Sequence, residues 1–94
     1  MSYNIIYESN VVKIDIPKLD SSVKQMVRIS IEEKLTTQPE VFGKPLRKSL
    51  KGYRKLRIGV WRVVFRIEKK EVKIFAIVHR RSAYQKALKR VNNQ

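Results

Sequence analysis

The feature that most narrows what this chain can fold into is a side-chain alternation running from Tyr53 to Val78. Tyr53-Arg54-Lys55-Leu56-Arg57-Ile58, Trp61-Arg62-Val63-Val64-Phe65-Arg66-Ile67 and Val72-Lys73-Ile74-Phe75-Ala76-Ile77-Val78 follow a period of two. A pleated strand satisfies that period and a helix does not. The short links between the segments predict three antiparallel strands. Gly59-Val60 puts glycine where a two-residue type II′ turn needs positive φ, and that loop sets Ile58 against Trp61 and Arg57 against Arg62. Strand parity then places Leu56, Ile58, Trp61, Val63, Phe65 and Ile67 on one face, expected to be core. Lys55, Arg57, Arg62 and Arg66 fall on the other face with Tyr53 and Val64. Two arginines opposite each other repel, so their pairing is intelligible when an anion sits between them.

The remaining segments predict helices and one more strand. Tyr3-Asn4-Ile5-Ile6-Tyr7 suits a first strand, and Val11 to Asp15 suits a short helical turn that stops before Pro17. Val23, Val27, Ile31 and Leu35 recur every four residues behind a capping-box spacing at Ser22 to Gln25, which predicts an amphipathic helix over about residues 21–37 that covers the sheet. Thr36 to Pro45 reads as a loop. Ser82-Ala83-Tyr84-Gln85 repeats the capping-box spacing and opens a short last helix through Ala87, Leu88 and Val91. The expected class is α+β, with a short N-terminal strand and helical segments packed on an antiparallel sheet of about four strands. Residues 1–94 are one domain's worth of chain, so a site in it is expected to be a surface cleft.

Charge supplies the functional constraint. The chain has 22 Lys and Arg against 8 Asp and Glu, a net +14. Residues 1–43 carry five basic and six acidic side chains, 5 − 6 = −1, whereas residues 44–94 carry seventeen basic ones against Glu68 and Glu71, 17 − 2 = +15. An excess confined to one half points to a polyanion partner, with binding that falls steeply as salt rises. A solvated basic surface kept for solubility is the plainer alternative. No apolar run approaches the roughly 18 residues of a membrane span. Without cysteine there are no disulfides or thiolate metal sites. Met1-Ser2-Tyr3-Asn4 lacks the charged head and apolar stretch of a secretory signal. The expectation is a cytoplasmic protein that needs no metal or other cofactor and no membrane.

The third strand delivers His79-Arg80-Arg81 at its end, and Tyr84 follows on the first turn of the last helix. With Lys55, Arg57 and Arg62 these are parts for RNA cleavage in which the ribose 2′-hydroxyl attacks its own phosphate. One group must remove the 2′-proton, another must protonate the leaving 5′-oxygen, and cations must stabilise the charge growing on phosphorus. A histidine titrates near neutrality, whereas tyrosine and lysine start near ~10 and need neighbouring cations to serve as bases there. Tyr84 or Trp61 can also stack on a base, although parity sends Trp61 to the core. Taken singly, each of these residues reads as an ordinary surface or packing side chain. Their convergence on one register is the signal.

Phe42-Gly43-Lys44-Pro45-Leu46-Arg47, the run from Leu50-Lys51-Gly52-Tyr53 through Leu56-Arg57-Ile58-Gly59-Val60-Trp61-Arg62, and Val78-His79-Arg80-Arg81-Ser82-Ala83-Tyr84, preceded by Ile16-Pro17-Lys18-Leu19, together resemble a RelE-type toxin of the RelE/ParE superfamily over nearly the whole chain. The resemblance implies a toxin of a type II toxin–antitoxin system that cleaves messenger RNA in the ribosomal decoding site and is neutralised by an acidic antitoxin, in a hetero-oligomer. It implies catalytic roles for Lys55, Arg62, His79, Arg80 and Tyr84, with Tyr84 as general base and Arg62 and Arg80 on the scissile phosphate. Lys51, Arg54, Arg57, Arg66 and Arg81 are then further RNA contacts. The choice among Arg54, Lys55 and Arg57, and between Arg80 and Arg81, stays open, as does the choice of base among Tyr84, His79 and Lys55. Trp61 and Phe65 stand where the family often has tyrosine. Two alternatives remain: a ParE-like toxin that poisons DNA gyrase on a similar scaffold, and a non-catalytic nucleic-acid-binding module.

Overall fold

In the computed structural model, which describes residues 2–93, five strands form one sheet: β1 (Asn4–Tyr7), β2 (Lys44–Pro45), β3 (Arg54–Ile58), β4 (Trp61–Glu68) and β5 (Glu71–His79). Their order across the sheet is β1-β5-β4-β3-β2. The β3–β4 hairpin has the expected register, Ile58 opposite Trp61 and Arg57 opposite Arg62, with Gly59 at φ +59° in the turn. Two pairings extend the meander. β1 joins β5 in parallel, Asn4 beside Glu71 and Tyr7 beside Ile74, which makes the sheet mixed. Lys44 and Pro45, expected in a loop, add a two-residue antiparallel edge beside Lys55 and Arg54. Its shortness, its lysine and a proline that donates no hydrogen bond suit an outermost strand.

Helix α1 (Ser21–Ser30) continues into a π turn at Ile31–Leu35. Residues spaced by four drift about 40° around an α-helix at each step, and the wider π turn reverses part of that drift, so Leu35 still faces the sheet with Val27 and Ile31. These side chains bury Leu56, Ile58, Val63 and Phe65. The cap differs from the expectation: Asp20, not Ser22, closes the helix, its carboxylate accepting from the Val23 N–H at 3.0 Å and the Ser22 hydroxyl at 2.8 Å. Pro17 lies inside a 3-10 turn, Ile16–Lys18, that follows directly on a π turn at Val11–Asp15. The stretch expected as a loop after α1 also holds α2 (Pro39–Phe42), with proline in its first turn.

The second sheet face is not purely cationic. Helix α3 (Ala83–Asn92) lies on it through Ala83 and Ala87, closing a smaller core with Leu50, Tyr53, Val64 and Phe75. Ser82 stands at the N-cap of α3, but its side chain makes no capping bond. A bulge makes this second core possible: Val64 pairs with Ala76 while Phe65 pairs with Ile74, leaving Phe75 as an extra residue in β5. Phe75 and Ala76 therefore both join the second core, and Ile77 returns to the first. The Phe75 ring sits 4.9 Å from that of Tyr53.

Beyond Ile74 no strand among the described residues lies beside this edge of β5, because β1 ends at Tyr7. An ion pair covers this edge. Asp15, 5% exposed, accepts from the Ile77 N–H at 2.8 Å and from both terminal nitrogens of Arg90 at 2.7 and 2.6 Å. Arg90 also donates to the Phe75 carbonyl at 3.1 Å. Backbone groups at the bulge and just after it are thus satisfied by a side-chain pair that ties α3 to the Val11–Asp15 turn.

Candidate nucleic-acid interface

Lys55 on β3, Arg62 on β4, Arg80 just past β5 and Tyr84 on the first turn of α3 line one cleft of about 320 Å³. Leu46, Leu50, Val64, Ala83 and Ala87 form its apolar walls. Each polar group has a structural reason to be there. Hairpin register brings Lys55 and Arg62 to one face of adjacent strands. The Arg80 N–H donates to the Val60 carbonyl at 2.7 Å, which holds the end of β5 against the turn. Tyr84 follows Ala83, which is buried and anchors the start of α3, and it remains 47% exposed.

Arg62 is tied to the backbone of the turn. Its Nη1 donates to the carbonyls of Gly59 and Trp61, both at 2.8 Å, so the guanidinium is fixed over the turn. Burial first, and then the charges of Arg57 and Arg80, lower this guanidinium below its ordinary value. No acidic side chain is among the described residues lining the cleft. A phosphate placed there would relieve this crowding and meet donors already held in position. A second depression, about 180 Å³, lies against the first and shares Lys55 and Arg62 with it, adding Phe42, Lys44 and Arg57.

Other candidate residues lie elsewhere. His79 is on the opposite side of the sheet, its ring edge-on to Trp61 at 5.6 Å, in a cleft of about 460 Å³ lined also by Lys18, Asp15 and Arg90. The Arg81 N–H donates to its Nδ1 at 3.2 Å. That cleft is the larger, but the buried carboxylate it contains is already paired with Arg90. Arg54 points to the α1 side and donates to the carbonyls of Glu40 at 3.2 Å and Gly43 at 2.9 Å. Arg66 is paired with Glu68 and lies 5.5 Å over the Tyr53 ring. Lys51 and Arg81 are exposed and line neither cationic depression. Lys44 and Phe42 stand in the sequence only within the family-like run from Phe42 to Arg47, with no site role assigned to either. The only cue to Lys44 is its β2 pairing opposite Lys55, which a two-residue strand does not advertise.

Among the described residues no group of three or more His, Asp and Glu side chains is placed to hold a metal ion, and no helix is long and apolar enough to cross a membrane.

Residues 15–84 match the family model described as the ParE toxin of the type II toxin–antitoxin system parDE. Among solved structures, the toxin–antitoxin complex RelBE2 from Mycobacterium tuberculosis contains a chain 28% identical, at a TM-score of 0.80, the match covering 85% of this chain and 93% of that one. A mutant of the Escherichia coli toxin RelE in the free state is 14% identical at a TM-score of 0.69, covering 99% and 97%. A chain of the RelB–RelE antitoxin–toxin complex from Methanococcus jannaschii is 17% identical at 0.63, covering 86% and 96%. The last two, at such identity, show the shared fold alone. No curated protein matches.

Proposed function

Because the chain belongs to the ParE toxin family of the RelE/ParE superfamily, with a RelE-type fold, and is a toxin of the type II toxin–antitoxin class, we propose that it is an endoribonuclease that cuts messenger RNA in the decoding site of the ribosome. The observation that carries this reading is the convergence of Lys55, Arg62, Arg80 and Tyr84 on one cleft. In the proposed reaction the 2′-oxygen bonds to the adjacent phosphorus and the bond to the 5′-oxygen breaks, leaving a cyclic phosphate and a 5′-hydroxyl, without a metal. Tyr84 takes the 2′-proton. Arg62 and Arg80 hold the phosphate and offset the negative charge that grows on it, and Lys55, on a different strand lining the same cleft, protonates the departing 5′-oxygen. The position of His79 on the other side of the sheet favours Tyr84 over His79 as the base. Arg57 and Lys44 extend the cationic surface along the RNA.

The partners proposed are the message on the ribosome and an acidic antitoxin whose charge offsets the excess of residues 44–94. The relatives found as toxin–antitoxin complexes support the second. We take residues 1–94 to act as one domain in the cytoplasm. Mapping transcript ends after induction tests the reading: wild-type protein produces new cuts within translated messages, and Arg62→Ala and Tyr84→Phe do not. Intact transcripts under the toxic wild-type protein overturn it.

The family match itself favours a second reading, gyrase poisoning, since its description names ParE. Accumulation of cleaved DNA–gyrase complexes with intact transcripts would establish that one. A gyrase-binding surface has no need of the Arg62, Arg80 and Tyr84 constellation, which is why cleavage is preferred. A non-catalytic RNA-binding module would keep its effect in Tyr84→Phe.

A further inference from the structure

Phe42 is an aromatic residue that the core does not account for. The residue is 40% exposed, whereas Phe65 and Phe75 are 0% and 6% exposed. It nevertheless sits on a firmly held segment. Arg54 clamps that segment through the Glu40 and Gly43 carbonyls. Gly43 lies so close to the core that a Cβ on it would come within 2.2 Å of Phe65 Cζ. Lys34 Nζ stands over the Phe42 ring at 5.6 Å, and the ring lines the depression that contains Lys44, Lys55, Arg57 and Arg62.

Two depressions therefore meet at Lys55 and Arg62, with Tyr84 in one and Phe42 in the other. An exposed aromatic held beside a row of cations is the arrangement by which proteins bind single-stranded nucleic acid, cations on the backbone and a ring against a base. Resting on the endoribonuclease reading above, we infer that Phe42 is a base-stacking platform for the nucleotide across the Lys55–Arg62 ridge from Tyr84. The phosphate joining the two nucleotides lies on the ridge, and Lys44 and Arg57 hold the next one. Arg54 and Gly43 act as positioning residues that aim the ring.

The test uses the full chain and ribosomes programmed with a message whose cut site carries either a normal or a 2′-O-methyl ribose. On the normal message, Phe42→Ala raises the half-saturating toxin concentration about tenfold, the size of one lost stacking contact, leaves the saturating rate within about twofold, and weakens sequence preference at one nucleotide flanking the cut. Phe42→Trp restores all three. On the blocked message, 2-aminopurine at that nucleotide is quenched by wild type and by Tyr84→Phe and not by Phe42→Ala. Unchanged half-saturation and quenching in Phe42→Ala overturn the inference while leaving the nuclease reading intact. The same result with weakened antitoxin co-purification assigns Phe42 to protein contact and overturns it too. A wild type that neither cuts nor binds either message overturns both readings.

Discussion

Arg57 and Arg62 face each other as direct Cα partners across the β3–β4 hairpin, and Arg80 adds a third charge that acts on Arg62. Like charges placed opposite each other on a sheet oppose folding, so this pairing costs stability when no anion lies between the two. Arg57→Gln should therefore stabilise the isolated protein, by about 0.2–1 kcal/mol, while weakening its affinity for RNA and lowering the salt slope by about one. Thermal melts and salt-dependent binding of the same variant check this, and a variant that is both less stable and unchanged in affinity would sink it.

The Asp15–Arg90 pair is a structural counterpart with the opposite sign. Breaking it leaves Asp15 buried with one partner gone and uncovers the edge of β5. Arg90→Ala should cost on the order of 3 kcal/mol, seen as a lower urea midpoint. The Asp15→Leu/Arg90→Met double variant should recover part of that loss. A single-variant loss below about 1 kcal/mol would show that the edge is held by other contacts.

Tyr84 and His79 are separated by the sheet, and their substitutions should separate too. Tyr84→Phe is expected to slow cleavage at saturation by about 10²–10⁴-fold, the range for a lost general base, and Arg62→Ala by about 10²–10³-fold. His79→Ala should stay within a few-fold of wild type. Single-turnover cleavage of a ribosome-bound message measures all three, and a His79→Ala defect as large as that of Tyr84→Phe would reverse the assignment of the base.

Asp20 gives a pH dependence whose sign is fixed. The Val23 N–H and the Ser22 hydroxyl hold its carboxyl below the usual value. Its capping contribution is therefore fully present above the unfolded-state value, near ~4, and is lost as pH falls through the lower folded-state value. Asp20→Asn should keep much of the cap and flatten this acid limb of the melting temperature against pH. An unchanged limb would place the acid sensitivity in other carboxyls.

The hairpin at the centre of the candidate site was legible because its determinants are local. Period-two alternation and a glycine at the turn fix which residues face each other, and Arg57, Arg62, Leu56 and Val63 need no distant information to find their faces. The α1 stripe was legible for the same reason. Its cap was misplaced by two residues because Asp20 and Ser22 both fit the local rule. Arg54 and Arg66 lie among the basic residues of the same strands, yet one clamps α2 and the other pairs with Glu68.

Sequence by itself thus determined the pairing of β3 with β4 and the excess of charge around it. Tertiary structure decided which basic residues share a cleft, and the extra residue at Phe75 is the physical reason. Had alternation run unbroken from Val72, His79 would have emerged on the cationic face and Arg80 on the α1 side. The bulge inverts that parity, sending His79 to Trp61 and Arg80 to Arg62 and Tyr84. It rests on partners distant in the chain, Tyr53 against the Phe75 ring and Asp15 with Arg90 on the backbone around it. No rule of local spacing contains those contacts.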